Sequence, residues 1–166
     1  MKLVEIRQQL ECISNDLVKS LKRIIGDHQD IIIIGNGGSN SIASHIAQDY
    51  TKQLKKRCLS FSDPSRLTCY INDYGMENAY TQFIKEFSTN DSLVILISSS
   101  GNSPNIYNAT TFCAKEKIPF IILTGFRSDN KVRKSYGQNA LLEYWVNSEN
   151  YGVVECMHQI FLHTAA

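Results

Sequence analysis

Short runs of apolar residues alternate along this chain with segments whose apolar residues recur every three or four positions. The short runs predict buried strands at residues 30–35, 58–61, 93–97, 120–123 and 141–146. The longer spacing predicts helices at 39–53, 64–72, 76–87 and 104–117 and from about residue 151 onwards, with a polar connection at 127–138. Because strands alternate with helices of this length, we expect an α/β fold, a three-layer αβα sandwich around a five-stranded parallel sheet. We expect residues 1–166 to form a single domain, since no linker or internal repeat interrupts the pattern.

An amphipathic segment precedes the first predicted strand. Its apolar residues keep the helical spacing from Leu3 to Ile25, and Gly26 follows as a typical helix end. These residues predict one continuous helix. Because a helix before the first strand has no place inside a doubly wound sheet, residues 1–26 are predicted to pack against another subunit in an oligomer.

The first strand leads into a glycine-rich turn, Gly35-Asn36-Gly37-Gly38-Ser39, and the next helix follows directly. Backbone N–H groups converge at such a turn and the helix dipole adds positive potential, so the last four residues are predicted to bind an anion. Taken alone, a purely structural turn is the alternative interpretation. The glycine spacing is not that of the dinucleotide fingerprint, and the Gly-Lys-Ser/Thr ending of a P-loop is missing. We therefore expect no nucleotide cofactor.

A second loop of the same kind follows the third predicted strand. It carries Ser98, Ser99, Ser100 and Ser103 around one glycine, and the last serine with the proline after it is a typical helix start. Serine hydroxyls are neutral donors that can bind a phosphate group without help from lysine. Since open α/β sheets bind ligands at the edge where their strands end, we predict that both loops form one phosphate site.

Composition limits the partners and the compartment. The formal net charge of +1 gives no electrostatic reason to expect binding to nucleic acid or to an anionic membrane. The five cysteines have no CxxC spacing and are predicted to be reduced. The charged N-terminal segment does not resemble a signal peptide, and no apolar run approaches the ~20 residues of a membrane span. We expect a cytoplasmic protein.

Two groups of ionisable residues have helical spacing. His45 and Asp49 are four residues apart, just beyond the glycine-rich turn, and therefore share one helix face. Glu155 and His163 fall on one face of the final helix. His158 points elsewhere, and a lone histidine of this kind is more often structural. The spacing alone leaves open whether the pair on the earlier helix is functional or structural.

The two loop sequences, GNGGS before a helix and ISSSGNS after a buried strand, resemble those of the sugar isomerase (SIS) domain family. Over essentially its full length, including SDPSRLTCYINDYG and a final helix with a histidine, the chain resembles the bacterial phosphoheptose isomerases. The resemblance implies a flavodoxin-like fold and a phosphorylated sugar as substrate. The implied reaction converts sedoheptulose 7-phosphate to D-glycero-D-manno-heptose 7-phosphate, for the heptose of lipopolysaccharide and other surface polysaccharides. It also implies a homotetramer with sites between subunits.

The same resemblance implies roles for single residues. Asp49 matches the position of the catalytic base and His163 that of the catalytic acid. In metal-containing members, the positions held here by His45, Asp49, Glu155 and His163 bind zinc, which implies one zinc ion per subunit. Asp63 lies where the family contacts the sugar chain. Two residues depart from the family pattern, because Asp49 replaces a glutamate and Glu155 replaces a glutamine.

These departures leave a second interpretation open. A base that is one methylene shorter, and a final helix that extends little beyond His163, would also suit a non-catalytic SIS module. Such a module would bind a phosphosugar as a signal or associate with a partner such as the replication initiator. The two histidines and two carboxylates at matching positions favour the isomerase.

Overall fold

The computed structural model describes residues 2–166, so Met1, the first residue of the predicted domain, lies outside the described residues. The chain forms a five-stranded sheet in which every strand pair is parallel. The strands are β1 (Asp30–Gly35), β2 (Arg57–Ser60), β3 (Ser92–Ser98), β4 (Phe120–Thr124) and β5 (Leu142–Trp145). Their order across the sheet is β2-β1-β3-β4-β5. The predicted α/β fold with a five-stranded parallel sheet is confirmed.

Helices cover both faces of this sheet. They are α1 (Lys2–Glu11), α2 (Asn15–Gly26), α3 (Gly38–Leu54), α4 (Pro64–Tyr74), α5 (Ala79–Phe87), α6 (Pro104–Glu116), α7 (Lys131–Tyr136) and α8 (Tyr151–His163). Successive side chains of a strand point to opposite faces. Ile31 and Ile33 of β1 accordingly pack with α2, α3 and α8, whereas Ile32 and Ile34 pack with α5 and α6. The isoleucine run of β1 therefore contributes to both apolar layers.

No helix within residues 2–166 combines the length and the apolar character that a bilayer crossing requires.

The N-terminal region differs from the prediction of one helix over residues 3–25, which is wrong. The structure has two helices, α1 and α2, with a break at residues 12–14. Ser14 begins α2, because its backbone is extended and its hydroxyl accepts a hydrogen bond from the Leu17 N–H at 3.2 Å. Such an N-cap starts a new helix without disturbing the apolar spacing, which is why the spacing alone did not reveal the break. Helix α2 packs into the core, whereas α1 lies against α8 with no buried residue.

The polar connection predicted at 127–138 contains a short helix, α7. Asn130 caps it by accepting a hydrogen bond from the Arg133 N–H at 3.0 Å, and Val132 anchors it in the core. A helix this short carries little apolar periodicity, so the pattern did not indicate it.

The carboxyl ends of β1 and β3 create a crevice at one edge of the sheet. The two strands are neighbours, yet β1 leads into α3 on one face and β3 leads into α6 on the other face. Ligands of open parallel sheets bind at such a switch point, between helices that leave the sheet in opposite directions. The topology therefore indicates a ligand site between the loops at 35–39 and 98–103.

Candidate active site

A cavity of about 240 Å³ lies in this crevice. All eight loop residues that the sequence predicted as an anion site line it: Asn36, Gly37, Gly38, Ser39, Ser98, Ser99, Ser100 and Ser103. Helices α3 and α6 both begin here, and the N-cap residue of neither makes a side-chain hydrogen bond to its helix. The positive ends of two helix dipoles therefore border one cavity, an arrangement that favours an anion.

Glycines of the first loop are required by its geometry. A Cβ atom added at Gly35 would lie 2.7 Å from the Cβ of Ser39, closer than packed side chains allow. Gly37 has a φ of +54°, a backbone conformation that favours glycine. The strand can therefore turn into α3 within a few residues, with its main chain open to a ligand.

The serines of the second loop differ in their hydrogen bonds. Ser98 donates to the Ser103 hydroxyl at 3.2 Å, and the Ser100 hydroxyl accepts the Asn102 N–H at 3.2 Å. The Ser99 residue is only 4% exposed, and its hydroxyl has no hydrogen-bond partner within residues 2–166. Native proteins rarely leave a buried polar group unpaired. The Ser99 residue lines the cavity, but its hydroxyl oxygen is enclosed by protein atoms, as is the unpaired hydroxyl of Thr124.

Asn36 connects the first loop to helices α5 and α6. Its side-chain amide donates to Asn105 Oδ1 at 2.9 Å, and its Oδ1 accepts from Asn105 Nδ2 at 2.9 Å and from the Tyr80 hydroxyl at 2.8 Å. Burial raises the pKa of Tyr80 to about 12, so the phenol keeps its proton and remains a donor. Sequence reasoning missed Asn105 and Tyr80, because a partner 69 or 44 positions away leaves no local signal.

Asp63, predicted to contact the sugar chain, does not line the cavity. It begins α4, where its carboxylate accepts hydrogen bonds from the Ser65 hydroxyl and from the Arg66 N–H. The hydrogen bond from Ser65, followed by that from Arg66, lowers the pKa of the Asp63 carboxyl. Asp63 thus has a clear role as a helix cap, and its sugar contact stays a prediction.

A second group of functional side chains joins α3 to α8. The Oδ2 atom of Asp49 lies 3.5 Å from His45 Nε2 and 3.4 Å from His163 Nδ1. The two imidazole rings meet nearly edge to face, with centroids 5.2 Å apart. One ligand atom from each of the three residues lies within 4.8 Å of the others, so together they could hold a metal ion. Three protein ligands with an open position are typical of catalytic zinc sites.

Tyr50, the neighbour of Asp49 in the chain, fixes the distance between these two helices. Its hydroxyl donates a hydrogen bond to the carbonyl oxygen of Leu162, 2.8 Å away. Leu162 directly precedes His163 in the chain. Burial raises the pKa of the phenol well above its usual value, so it stays a neutral donor. This buried hydrogen bond helps to hold Asp49 beside His163, and apolar spacing alone could not have revealed it.

Glu155, the fourth predicted metal ligand, is not part of this group of three, although it lines one cavity together with His45. A Cβ atom added at Gly38 would lie 2.4 Å from Glu155 Oε2, so the carboxylate rests against the first residue of α3. Glu155 lines the cavity of about 240 Å³ between the two loops, called the anion cavity below. Tyr151, which the sequence did not indicate, lines it as well. The structure therefore brings together three of the four predicted ligands and sets the fourth beside the anion cavity.

His158 belongs to the core, in line with its structural interpretation. It is fully buried, its Nε2 lies 3.0 Å from the carbonyl of Thr124, and its ring packs near Tyr144. Burial lowers the pKa of His158 to about 4, so the ring is neutral at physiological pH.

Comparison with known proteins identifies phosphoheptose isomerases among the relatives of the chain. No model of a known protein family matches the chain. The phosphoheptose isomerase of Fusobacterium nucleatum subsp. nucleatum is 36% identical over 98 residues, which cover 56% of this chain and 50% of that protein. The phosphoheptose isomerase of Glaesserella parasuis serovar 5 is 29% identical over 139 residues, which cover 75% of this chain and 72% of that protein. The chain spans about half the length of several curated relatives that it matches.

Among solved structures, the phosphoheptose isomerase of Neisseria gonorrhoeae matches with a TM-score of 0.87. The match covers 98% of this chain and 90% of that one at 23% sequence identity, which shows a shared fold. The curated relatives and the shared fold point in the same direction. The chain is similar in sequence to phosphoheptose isomerases and has the fold of a solved phosphoheptose isomerase.

Proposed function

We propose that the chain is an aldose–ketose isomerase that interconverts sedoheptulose 7-phosphate and D-glycero-D-manno-heptose 7-phosphate. The observation that carries this proposal is the Asp49 carboxylate, with one oxygen within 3.5 Å of two imidazoles on the same side of the protein as an anion cavity. The choice of substrate is supported by relatives that are named phosphoheptose isomerases. Its product would supply heptose for lipopolysaccharide and other surface polysaccharides.

The anion cavity is proposed to hold the phosphate group. Its donors would be backbone amides of the two loops and the serine hydroxyls, since within residues 2–166 no lysine or arginine lines the cavity. Binding at the phosphate is remote from the reacting carbons, so its free energy can orient the other end of the sugar. An adjacent cavity of about 440 Å³, lined by Gly38, His45 and Glu155 among others, offers a path toward Asp49.

Asp49 is the proposed general base and His163 the proposed general acid. Asp49 removes a proton from C1 of the ketose while His163 donates a proton to the C2 carbonyl oxygen, which gives an enediol. Asp49 then returns its proton to C2, and His163 accepts the proton of the C1 hydroxyl as the aldehyde forms. Both residues end in their starting protonation states, so the cycle needs no external acid, base or redox partner.

His45, Asp49 and His163 are the residues that would hold a divalent metal ion. Two imidazoles and one carboxylate suit zinc, and we propose one zinc ion per subunit. When bound, such an ion supplies a positive charge that polarises the oxygens at the reacting carbons. The geometry fits this role, because the three ligand atoms lie within 4.8 Å of one another.

We further propose that the protein is a homotetramer. Leu3, Val4 and Leu10 of α1 are exposed apolar residues that a second copy would cover. The side chains of His45 and His163 are 52% and 38% exposed, which leaves room for a neighbouring subunit to close the site.

A coupled assay with sedoheptulose 7-phosphate, with and without zinc, tests the isomerase. We expect turnover that zinc increases and that Asp49→Asn abolishes, while phosphate still stabilises both proteins against heat because its contacts lie elsewhere. If the unchanged protein binds the phosphosugar without converting it, a non-catalytic binding module is the better description. The aspartate in place of the family's glutamate favours that second function.

A further inference from the structure

Asn130 is a buried polar residue in the segment that connects β4 to α7. Only 2% of the residue is exposed. Its Nδ2 atom donates hydrogen bonds to the carbonyl oxygens of Gly125 at 3.2 Å and Arg127 at 3.0 Å. Its Oδ1 atom accepts a hydrogen bond from the Arg133 N–H at 3.0 Å and thereby caps α7. The carboxamide therefore fixes the conformation of the segment from residue 125 to residue 130.

The same carboxamide packs against the second loop of the anion cavity, residues 98–103, called the serine loop below. A Cβ atom added at Gly101 would overlap both Oδ1 and Cγ of Asn130, so a side chain at Gly101 and the Asn130 carboxamide exclude each other. Gly101 has a φ of +63°, and its N–H donates to the carbonyl of Ser98 at 3.0 Å, which closes the turn of the loop. Asn130 thus contacts the residue at which the serine loop turns.

The backbone of the connecting segment meets the serine loop on both sides of Asn130. On one side, a Cβ atom added at Gly125 would lie 3.0 Å from the carbonyl oxygen of Ser99, so the two backbones approach each other closely. On the other side, the Val132 N–H donates to the carbonyl of Gly101 at 3.0 Å. Asn130 binds Gly125 and begins the helix that contains Val132. Its side chain therefore links the two places where this segment supports the serine loop.

We infer that Asn130 is a positioning residue for phosphate binding, which holds the serine loop in the conformation that presents its donors to the anion cavity. The inference rests on the phosphate site of the proposed function. Asn130 does not line the anion cavity, so it acts through the loop and does not touch the phosphate. Hydrogen bonds weaken steeply when their distance and angle depart from the optimum. A small displacement of the loop would therefore weaken several donors at once.

Titration calorimetry with inorganic phosphate on Asn130→Ser tests the inference. Serine is also a good N-cap, so α7 keeps its start, but its side chain is too short to reach the Gly125 carbonyl and leaves space beside Gly101. We expect phosphate to bind about tenfold more weakly, which is the loss expected when about one hydrogen bond to a charged group is misplaced. Ile84→Val is the control for stability, since it removes a methyl group from a buried residue outside the anion cavity. It should lower Tm and leave phosphate affinity unchanged.

A double-mutant cycle with Gly101→Ala tests the contact itself. Gly101→Ala alone should weaken phosphate binding about tenfold, because the added methyl group overlaps Asn130 and displaces the loop. In the Asn130→Ser background the methyl group has room, so the same change should weaken binding by about twofold at most. The effect of alanine at a positive φ is present in both backgrounds, so the difference between them reports the contact with Asn130.

The outcomes separate this inference from the proposed function. Unchanged phosphate affinity in Asn130→Ser, whatever its Tm, would overturn the inference and leave the phosphate site intact. Additive losses in the cycle would also overturn it. If Asn130→Ser does not fold, Gly101→Ala decides, since a tenfold loss of affinity supports the inference and an unchanged affinity overturns it. If the unchanged protein binds no inorganic phosphate, the proposed phosphate site is wrong and the inference fails with it.

Discussion

Replacing Ser99 with alanine should change the stability of the protein and its affinity for phosphate in opposite directions. The Ser99 hydroxyl is buried without a partner within residues 2–166, and such a group costs about 1–3 kcal/mol. We expect Ser99→Ala to be about 1 kcal/mol more stable without ligand, which is about 2–4 °C in Tm for a domain of this size. In the proposed function the Ser99 hydroxyl turns toward the bound phosphate and donates to it, so the change also removes a donor. A hydrogen bond to a charged group contributes about 1.5–3 kcal/mol, so phosphate should bind about ten- to a hundredfold more weakly.

Thermal unfolding over a series of inorganic phosphate concentrations measures both effects, because a ligand that binds only the folded state raises Tm. Thr124→Val is the control: the Thr124 hydroxyl is also buried and unpartnered within residues 2–166, but Thr124 does not line the cavity. It should raise Tm without altering the response to phosphate. The reasoning fails if Ser99→Ala lowers Tm without ligand, or if its response to phosphate equals that of the unchanged protein.

Three further predictions concern the core, the base and the assembly. Burial lowers the pKa of His158 from 6.5 to about 4, and the unfolded chain binds that proton at higher pH. The free energy of unfolding should therefore fall as pH drops from 6.5 to 4, by about 3 kcal/mol at about 1.4 kcal/mol per pH unit. Urea titrations check this, and an equally steep decline in His158→Gln would contradict it. Asp49→Glu should raise kcat, since a longer side chain brings the carboxylate closer to the substrate carbon. A lower kcat with unchanged binding would show that the length of the Asp49 side chain does not limit the rate. Replacing Leu3 and Leu10 together by glutamate should break the oligomer in sedimentation experiments, whereas a monomeric starting protein would refute the assembly.

The sheet could be predicted from the sequence because its strands are continuous apolar runs bounded by polar residues. The isoleucines of β1 are buried on both faces, so their burial requirement is visible without knowledge of their partners. The break before α2 could not be predicted in this way. The apolar spacing continues through Leu10, Ile13 and Leu17, and only the local hydrogen bond of Ser14 ends one helix and begins another.

The anion cavity could be predicted because parallel strands end at one edge of a sheet, so loops that are far apart in the chain must meet there. The position of Glu155 could not. Residues eight positions apart share a helix face but lie about 12 Å apart along the axis, at about 1.5 Å per residue. His163 therefore meets Asp49 near one end of α8, while Glu155 meets Gly38 near the other. Helical spacing specifies a face, and tertiary packing decides which neighbour each residue meets.

Hydrogen exchange with solvent tests the role of Asp49 most directly. The protein is incubated with sedoheptulose 7-phosphate in D₂O, and NMR follows the carbon-bound hydrogens at C1 and C2. If Asp49 removes a proton from C1, exchanges it with solvent and then protonates C2, the aldose product carries deuterium at C2, and Asp49→Asn gives neither product nor exchange while it still binds phosphate. Exchange in Asp49→Asn at the rate of the unchanged protein would contradict this account. So would an unchanged protein that binds the phosphosugar and exchanges no carbon-bound hydrogen.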